Sequence, residues 1–275
     1  MSRPLRLQYP GAVYHLTSRG NARQQIFWGD DDRMGFLNIL SRVISRFEWL
    51  CYAYCLMENH YHLLVETPKP NLSIGMRQLN GLYTQTFNRR HSRVGHLFQA
   101  RYTAILVQKQ AHLLELCRYV VLNPLRVMAG RRVEHWEWSS YRATAGLAPV
   151  PEFLTVDWVL SQFGQRRHQA QARYRDFVHA GLESRPWEKL RSQIYLGDDD
   201  FINRHAAVAD NLMEIPRRQR QAIKRSLEAI FRTEGEQAIA VAYQEGYGLK
   251  EIATFMGIHY STVSRRLRWL EGGQS

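Results

Sequence analysis

The spacing of apolar residues changes period several times along the first half of the chain, and each change predicts an element. Ala12 to Thr17 (AVYHLT) reads as a strand closed by the turn Arg19-Gly20-Asn21. Asp30 to Phe47 then switches to helical spacing through Met34, Phe36, Leu37, Leu40, Val43 and Ile44. Leu50 to Met57 and His60 to Thr67 are rich in aromatic and branched residues with only Glu58-Asn59 between them, the pattern of an antiparallel hairpin. Asn71 to Arg90 is a second helix with Leu72, Met76, Leu79 and Tyr83 on one face. Ala104 to Gln108 gives another strand, and Ala111 to Leu122 a third helix that Asn123-Pro124 is expected to stop. Strand, helix, hairpin, helix, strand, helix is the order of a ferredoxin-like split βαβ sheet. The expected fold class is therefore α+β, an antiparallel sheet with helices followed by an all-α C-terminal region.

From about 146 to 215 the periodicity fades. Pro149-Val150-Pro151 reads as a linker, and this stretch is expected to be a helical connector. The tail, 216–275, is clearer, because Leu249 to Leu270 has the spacing of a helix-turn-helix. Ala253 sits where two helices pack closely and Gly257 lies at the turn. Val263, Ile252, Met256 and Ile258 fill the inner positions, and Ser261 or Thr262 is placed to cap the second helix.

Charge narrows the choice of partner. The 275 residues carry 37 Lys and Arg against 25 Asp and Glu, a formal net charge of +12, which favours a polyanion. Nucleic acid comes first. No run of apolar residues is long enough to span a bilayer, and Met1-Ser2-Arg3-Pro4 lacks an apolar signal core, so no membrane is implied and the chain reads as cytoplasmic. Three cysteines, Cys51, Cys55 and Cys117, are without paired spacing and predict buried thiols rather than disulfides or a thiolate zinc site.

The chemistry-bearing residues cluster on two predicted elements. Strand alternation puts His60 and His62 on one face with Tyr61 opposite, and two imidazoles at that spacing can chelate one divalent metal or form a partly buried structural pair. Tyr119 and Asn123, at i and i+4, share a helical face. A tyrosine there can attack a phosphodiester once its hydroxyl loses its proton, and a metal helps by binding a non-bridging oxygen. Asn123 could add a carbonyl oxygen, making a mixed N/O sphere suited to Mg²⁺ or Mn²⁺. The alternative is that Tyr119 packs in a helix interface and Asn123 caps the helix. Tyr83 and Tyr102 are rival nucleophiles in basic, polar settings, and His15 is either a site residue or a core histidine.

Five ordered blocks carry a resemblance. They are Tyr14-His15-Leu16-Thr17-Ser18-Arg19-Gly20-Asn21; Leu56-Met57-Glu58-Asn59-His60-Tyr61-His62-Leu63-Leu64; Tyr83-Thr84 with Phe87-Asn88-Arg89-Arg90-His91; Gly95-His96-Leu97-Phe98-Gln99-Ala100-Arg101-Tyr102; and Arg118-Tyr119-Val120-Val121-Leu122-Asn123-Pro124 with Trp138-Ser139-Ser140-Tyr141. Over roughly residues 8 to 145 the chain resembles the REP-associated branch of single-tyrosine HUH transposases. The resemblance implies an HUH nuclease domain over 1–145, with His60 and His62 as metal ligands, Asn123 as the third and Tyr119 as nucleophile. It implies a 5′-phosphotyrosine intermediate on single-stranded DNA, hairpins of repetitive palindromic DNA as substrate, and a homodimer. Glu58 departs from the proline common in that family's hairpin turn.

Arg19, Asn21, Arg89, Arg90, Arg93, Arg101 and Arg118 are the expected contacts to single-stranded or hairpin DNA. In the tail, which resembles the helix-turn-helix of the replication initiator DnaA, Ser261, Thr262, Arg265, Arg266 and Arg268 would face duplex DNA. A catalytically inactive, domesticated DNA-binding regulator is the alternative reading of the same features. A small-molecule metal hydrolase fits less well, since it calls for acidic ligands near the histidines and no basic surplus.

Overall fold

The computed structural model describes residues 7–127, 132–182, 186–191, 194–209, 227–244 and 247–272. These fall into two compact units, one ending at Gly197 and the other starting at Asp198. The first holds a six-stranded mixed sheet whose first four strands have the expected order. They are β1 (Ala12–Arg19), β2 (Leu50–Leu56), β3 (His60–Thr67) and β4 (Thr103–Val107), with β1 between β3 and β4. All of these pairings are antiparallel.

The register decides what each face carries. Thr17 lies opposite His62 and Arg19 opposite His60, so His15, Arg19, His60 and His62 share one face while Tyr14, Leu16, Ser18 and Tyr61 share the other. The second face is covered by α1 (Asp30–Phe47) and α2 (Leu72–Arg90). The Phe36 ring of α1 packs 4.7 Å from Tyr61, and Tyr61 Oη donates to Asn80 Oδ1 of α2. Phe36, Ile39, Leu40, Val43 and Ile44 form the buried stripe of α1, whereas Met34, expected on it, is 51% exposed. Three aspartates in the first turn of α1 suit the positive end of its dipole. Gly75 lets α2 approach Trp49: a Cβ there would come within 2.2 Å of the indole.

Helix α3 (Lys109–Val127) covers the histidine face. It does not stop at Asn123-Pro124. Proline has no N–H for the carbonyl four residues back, Val120 O, but Asn123 Nδ2 reaches that oxygen at 3.3 Å as well as Tyr119 O at 3.0 Å. The side chain thus replaces the missing donor, and the helix continues to Val127.

The compact unit runs past 145, the boundary expected from the sequence. Residues 138–155 follow the outer edge of β2, with Leu56 N–H donating to Trp138 O, Ser140 N–H to Tyr54 O and Thr155 N–H to Cys51 O, so that edge is covered. Short helices α4 (Tyr141–Thr144) and α5 (Asp157–Ser161) and the longer α6 (Arg167–His179) follow. Strands β5 (Leu190–Arg191) and β6 (Tyr195–Leu196) then extend the sheet beyond β4, with β6 parallel to β4 and β5 antiparallel to β6. Two-residue strands have no readable periodicity, which is why the sequence reading misses them.

In the second unit, α7 (Asp199–Ala209) precedes α8 (Leu227–Thr233), α9 (Ala238–Gln244), α10 (Leu249–Met256) and α11 (Tyr260–Gly272). The expected boundary at 215/216 lies outside the described residues. Ile230, Ala242, Ile252, Ala253, Val263 and Leu267 form a core against which Met256 and Ile258 pack. Gly257, at φ +66°, makes the left-handed turn between α10 and α11. Among the described residues no helix is long and apolar enough to cross a membrane.

Candidate active site

The hairpin β2–β3 places the two histidines at one end of the sheet. Its turn is closed by Met57 N–H donating to His60 O and is held from outside by Gly20 N–H on Asn59 O and Ile26 N–H on Glu58 O. Glu58 therefore serves the turn through its backbone. His60 Nδ1 lies 2.7 Å from Asn59 Oδ1, an acceptor, so Nδ1 carries the proton and Nε2 keeps its lone pair. His62, 7% exposed, has Nδ1 at 3.0 Å from His15 Nε2 and an Nε2 buried without a partner. The His15 and His62 rings stack at 5.1 Å, and His60 and His62 lie edge to face at 4.9 Å.

Helix α3 brings Tyr119 over this group. Its ring centroid is 6.3 Å from both His15 and His62, edge-on to each. Trp187, from the turn Pro186–Lys189, lies 4.9 Å from Tyr119 and 4.8 Å from His15, and Arg126 places its guanidinium 4.9 Å from the Tyr119 ring centre. Trp187 and Arg126 thus join the expected set, and His15, open between site and core in the sequence, lies against His62. His15 had a signal in strand alternation with His62 across the sheet; Trp187 had none.

Burial sets the charge state. Desolvation pulls the His15 pKa from 6.5 down to about 3. It pulls His60 to about 4 with help from the Arg19 charge, and His62 well below its ordinary value with help from His15, His60 and Arg19. All three imidazoles are neutral near pH 7, the state a metal ligand needs.

The donor set fits a divalent cation in part. Two neutral imidazoles have Nε2 atoms unclaimed by the protein, one of them buried and orphaned. Among the described residues no cluster of three or more His, Cys, Asp or Glu is arranged to hold a metal, so further donors would be amide, phosphate or water oxygens. Asn123, 8% exposed, spends its amide nitrogen on α3 carbonyls, and its oxygen accepts no hydrogen bond among the described residues.

The rival tyrosines lie elsewhere. Tyr83 is buried on the opposite face, its hydroxyl donating to Ile26 O, and burial raises its pKa. Tyr102 is buried beside Ser73 Oγ at 3.3 Å.

The expected DNA contacts separate into two kinds. Arg19, Asn21, Arg89 and Arg101 are exposed. Arg90 is partly engaged by Asp31 and Asp32, and Arg93 stacks over Trp28 and Phe87 while donating to Gln24. Arg118 is partly buried: it pairs with Glu115, donates to Phe177 O and lies over the Phe177 ring at 4.2 Å. These contacts brace α3 against α6.

In the tail, Arg265 and Arg266 are exposed on α11 while Val263 and Leu267 point inward. The side chain of Arg268 lies outside the described residues. The cap expected from Ser261 or Thr262 is instead at His259, whose Nδ1 faces the Ser261 N–H at 3.4 Å and whose carbonyl accepts from Thr262 N–H. Ser261 and Thr262 sit one and two residues inside the helix.

Residues 8–123 match the family described as IS200-like transposases. That span ends with Asn123 and contains β1 to β4, both histidines and Tyr119, whereas Trp187 lies outside it. Residues 236–275 match the homeodomain-like domain family, a three-helix variant of the helix-turn-helix, where a DnaA-like module was expected.

Solved structures to which the chain is similar include a REP-associated tyrosine transposase bound to a REP hairpin, 17% identical, with a TM-score of 0.46 over 57% of this chain and 93% of that one. Another is a putative transposase from Deinococcus radiodurans R1, 20% identical, with a TM-score of 0.32 over 44% of this chain and 95% of that one. No curated protein matches.

Proposed function

We propose that the transposase domain cleaves and rejoins single-stranded DNA, with Tyr119 as nucleophile and His60 and His62 holding a divalent cation. The observation that carries this reading is the approach of Tyr119 to His62, a buried, neutral imidazole whose strand neighbour His60 is neutral and half-buried beside it. Tyr119 Oη loses its proton and attacks phosphorus, the bond to the 3′ oxygen breaks, and a 5′-phosphotyrosine and a free 3′-hydroxyl result. The reverse attack by a 3′-hydroxyl joins strands and frees the tyrosine. Mg²⁺ or Mn²⁺, when bound, would neutralise a non-bridging phosphate oxygen and stabilise the charge of the transition state.

This chain's residues do the rest. Asn59 fixes the proton of His60 on Nδ1, and His15 would accept the Nδ1–H of His62, which leaves the Nε2 lone pair of each imidazole for the cation. Asn123 offers its amide oxygen as a third donor. Arg126, its guanidinium 4.9 Å from the centre of the Tyr119 ring, would bring positive charge toward the phosphate engaged by Tyr119. Arg19, Asn21, Arg89, Arg90 and Arg101 contact the strand, and Arg265 and Arg266, with Ser261, Thr262 and Arg268, hold duplex DNA. The substrate is a hairpin of repetitive palindromic DNA, in keeping with the sequence blocks, and the enzyme acts as a homodimer.

The test is a labelled set of candidate hairpins with Mn²⁺. A covalent adduct with wild-type protein, absent in Tyr119→Phe and in EDTA, is expected, with a loss of about 10⁴-fold or more in the variant. An adduct that survives Tyr119→Phe overturns the assignment.

A further inference from the structure

On the opposite side of β1 from the histidines lies a cleft of about 730 Å³ between α2 and the segment 96–102. It is large enough for one or two nucleotides. Its chemistry is that of a base pocket. Ile74, which is exposed, and the half-buried Phe98 ring give apolar and aromatic surface, Asn80 and Gln99 give paired amide donors and acceptors, and Arg77 and Arg101 are exposed at its border. None of the lining residues is acidic. The Asn80 amide is oriented from beneath, its Oδ1 accepting from Tyr61 Oη and its Nδ2 donating to Ser18 Oγ, which leaves one N–H on Nδ2 uncommitted.

The cleft is joined to the active site through the end of β1. Gln99 N–H donates to Arg19 O at 3.0 Å, Asn21 N–H donates to Leu97 O at 2.8 Å, and Gly20 pairs with Phe98. Arg19 in turn lies opposite His60 across the sheet. The Arg19–Asn21 segment therefore borders the histidine pair on one face and the cleft on the other.

We propose that this cleft is a second DNA site, which takes an unpaired nucleotide of the strand whose phosphate lies at Tyr119 and reads its base. Aromatic surface stacks the base, the amides meet its edge, and the two arginines take the flanking phosphates. A duplex cannot use the site, because its base edges and faces are already paired and stacked. The proposal rests on the DNA-cleavage reading for the identity of the strand, but binding in the cleft needs neither the cation nor the nucleophile.

The test uses full-length Tyr119→Phe protein in EDTA. A random-sequence single strand with one 4-thiothymidine is photocrosslinked, and the adduct is expected within residues 96–102. Arg77→Ala/Arg101→Ala, two exposed positions, is expected to weaken single-strand binding about tenfold through the loss of two phosphate contacts, and to leave the same pool made double-stranded nearly unaffected. Gln99→Ala should erase a base preference at one position among strands selected from the pool. Crosslinks only elsewhere, or equal weakening on single and double strands, overturn the proposal. Crosslinking at 96–102 by a wild-type protein that forms no adduct with Mn²⁺ would sink the cleavage reading and leave the cleft standing.

Discussion

The histidine face of the sheet and the outer face of α11 are both proposed to meet DNA, yet they handle charge in opposite ways. On β3 the functional groups are buried and kept neutral: His62 is 7% exposed and burial holds its pKa well below the ordinary value. On α11 the cations stand in solvent, with Arg265 and Arg266 exposed and the apolar Val263 and Leu267 turned inward. The difference follows from the task. A metal-assisted displacement needs lone pairs fixed in place and shielded from water, where electrostatic interactions are strong. Gripping a phosphate backbone needs solvated charges that displace counterions and tolerate small shifts in position.

The comparison is broken most directly at the ligands. His62→Ala should lower Mn²⁺ affinity by about 100-fold or more, and His15→Phe, which removes the acceptor for His62 Nδ1, by about 10-fold, read by titration calorimetry. Unchanged affinity in His62→Ala would mean the buried pair is structural. Asn123→Leu leaves Val120 O facing Pro124 without a donor and should cost ~1–3 kcal/mol in denaturant unfolding, whatever becomes of the metal. Exposed Arg265→Ala should leave stability unchanged.

Acid gives a third contrast. The unfolded chain protonates His15 and His60 near pH 6.5, whereas the folded chain resists until about pH 3 and about pH 4. Their contribution to stability is therefore complete above about pH 6.5 and is lost as pH falls toward 4. Melting temperatures of chelated protein should drop over that window, and His15→Phe should flatten the drop. A wild-type curve no steeper than that of the variant would remove His15 from the account. The smallest effects belong to the tail: Arg265→Ala or Arg266→Ala should weaken duplex binding several-fold and reduce the salt slope by about 1 each. Adduct formation on a short single strand should be unaffected.

Much of this was legible before folding. Elements of four residues or more with a single buried face, such as α1, α2 and the β2–β3 hairpin, announce themselves because burying one face imposes a period. His60 and His62 are readable as a same-face pair for the same reason, and Tyr119 and Asn123 as an i, i+4 pair. The expected stop at Pro124 failed because a long-known local rule was overridden by one side chain, Asn123, that supplies the donor proline lacks. The contacts of Arg118 with Glu115 and the Phe177 ring were not legible, because a charge in sequence carries no label saying what it meets. Strands β5 and β6 are too short to show a period at all.

The sequence by itself determined the alternation that sets both histidines on one strand face, the helical spacing that puts Tyr119 and Asn123 together, and the basic surplus that calls for a polyanion. Only the tertiary structure decided that these two faces meet, that His15 from the neighbouring strand bonds to His62, and that Trp187, far along the chain, closes against Tyr119. The reason is physical: periodicity is imposed by local backbone geometry and can be read locally, whereas strand register, burial and the pKa shifts that follow from burial depend on contacts between residues distant in the chain.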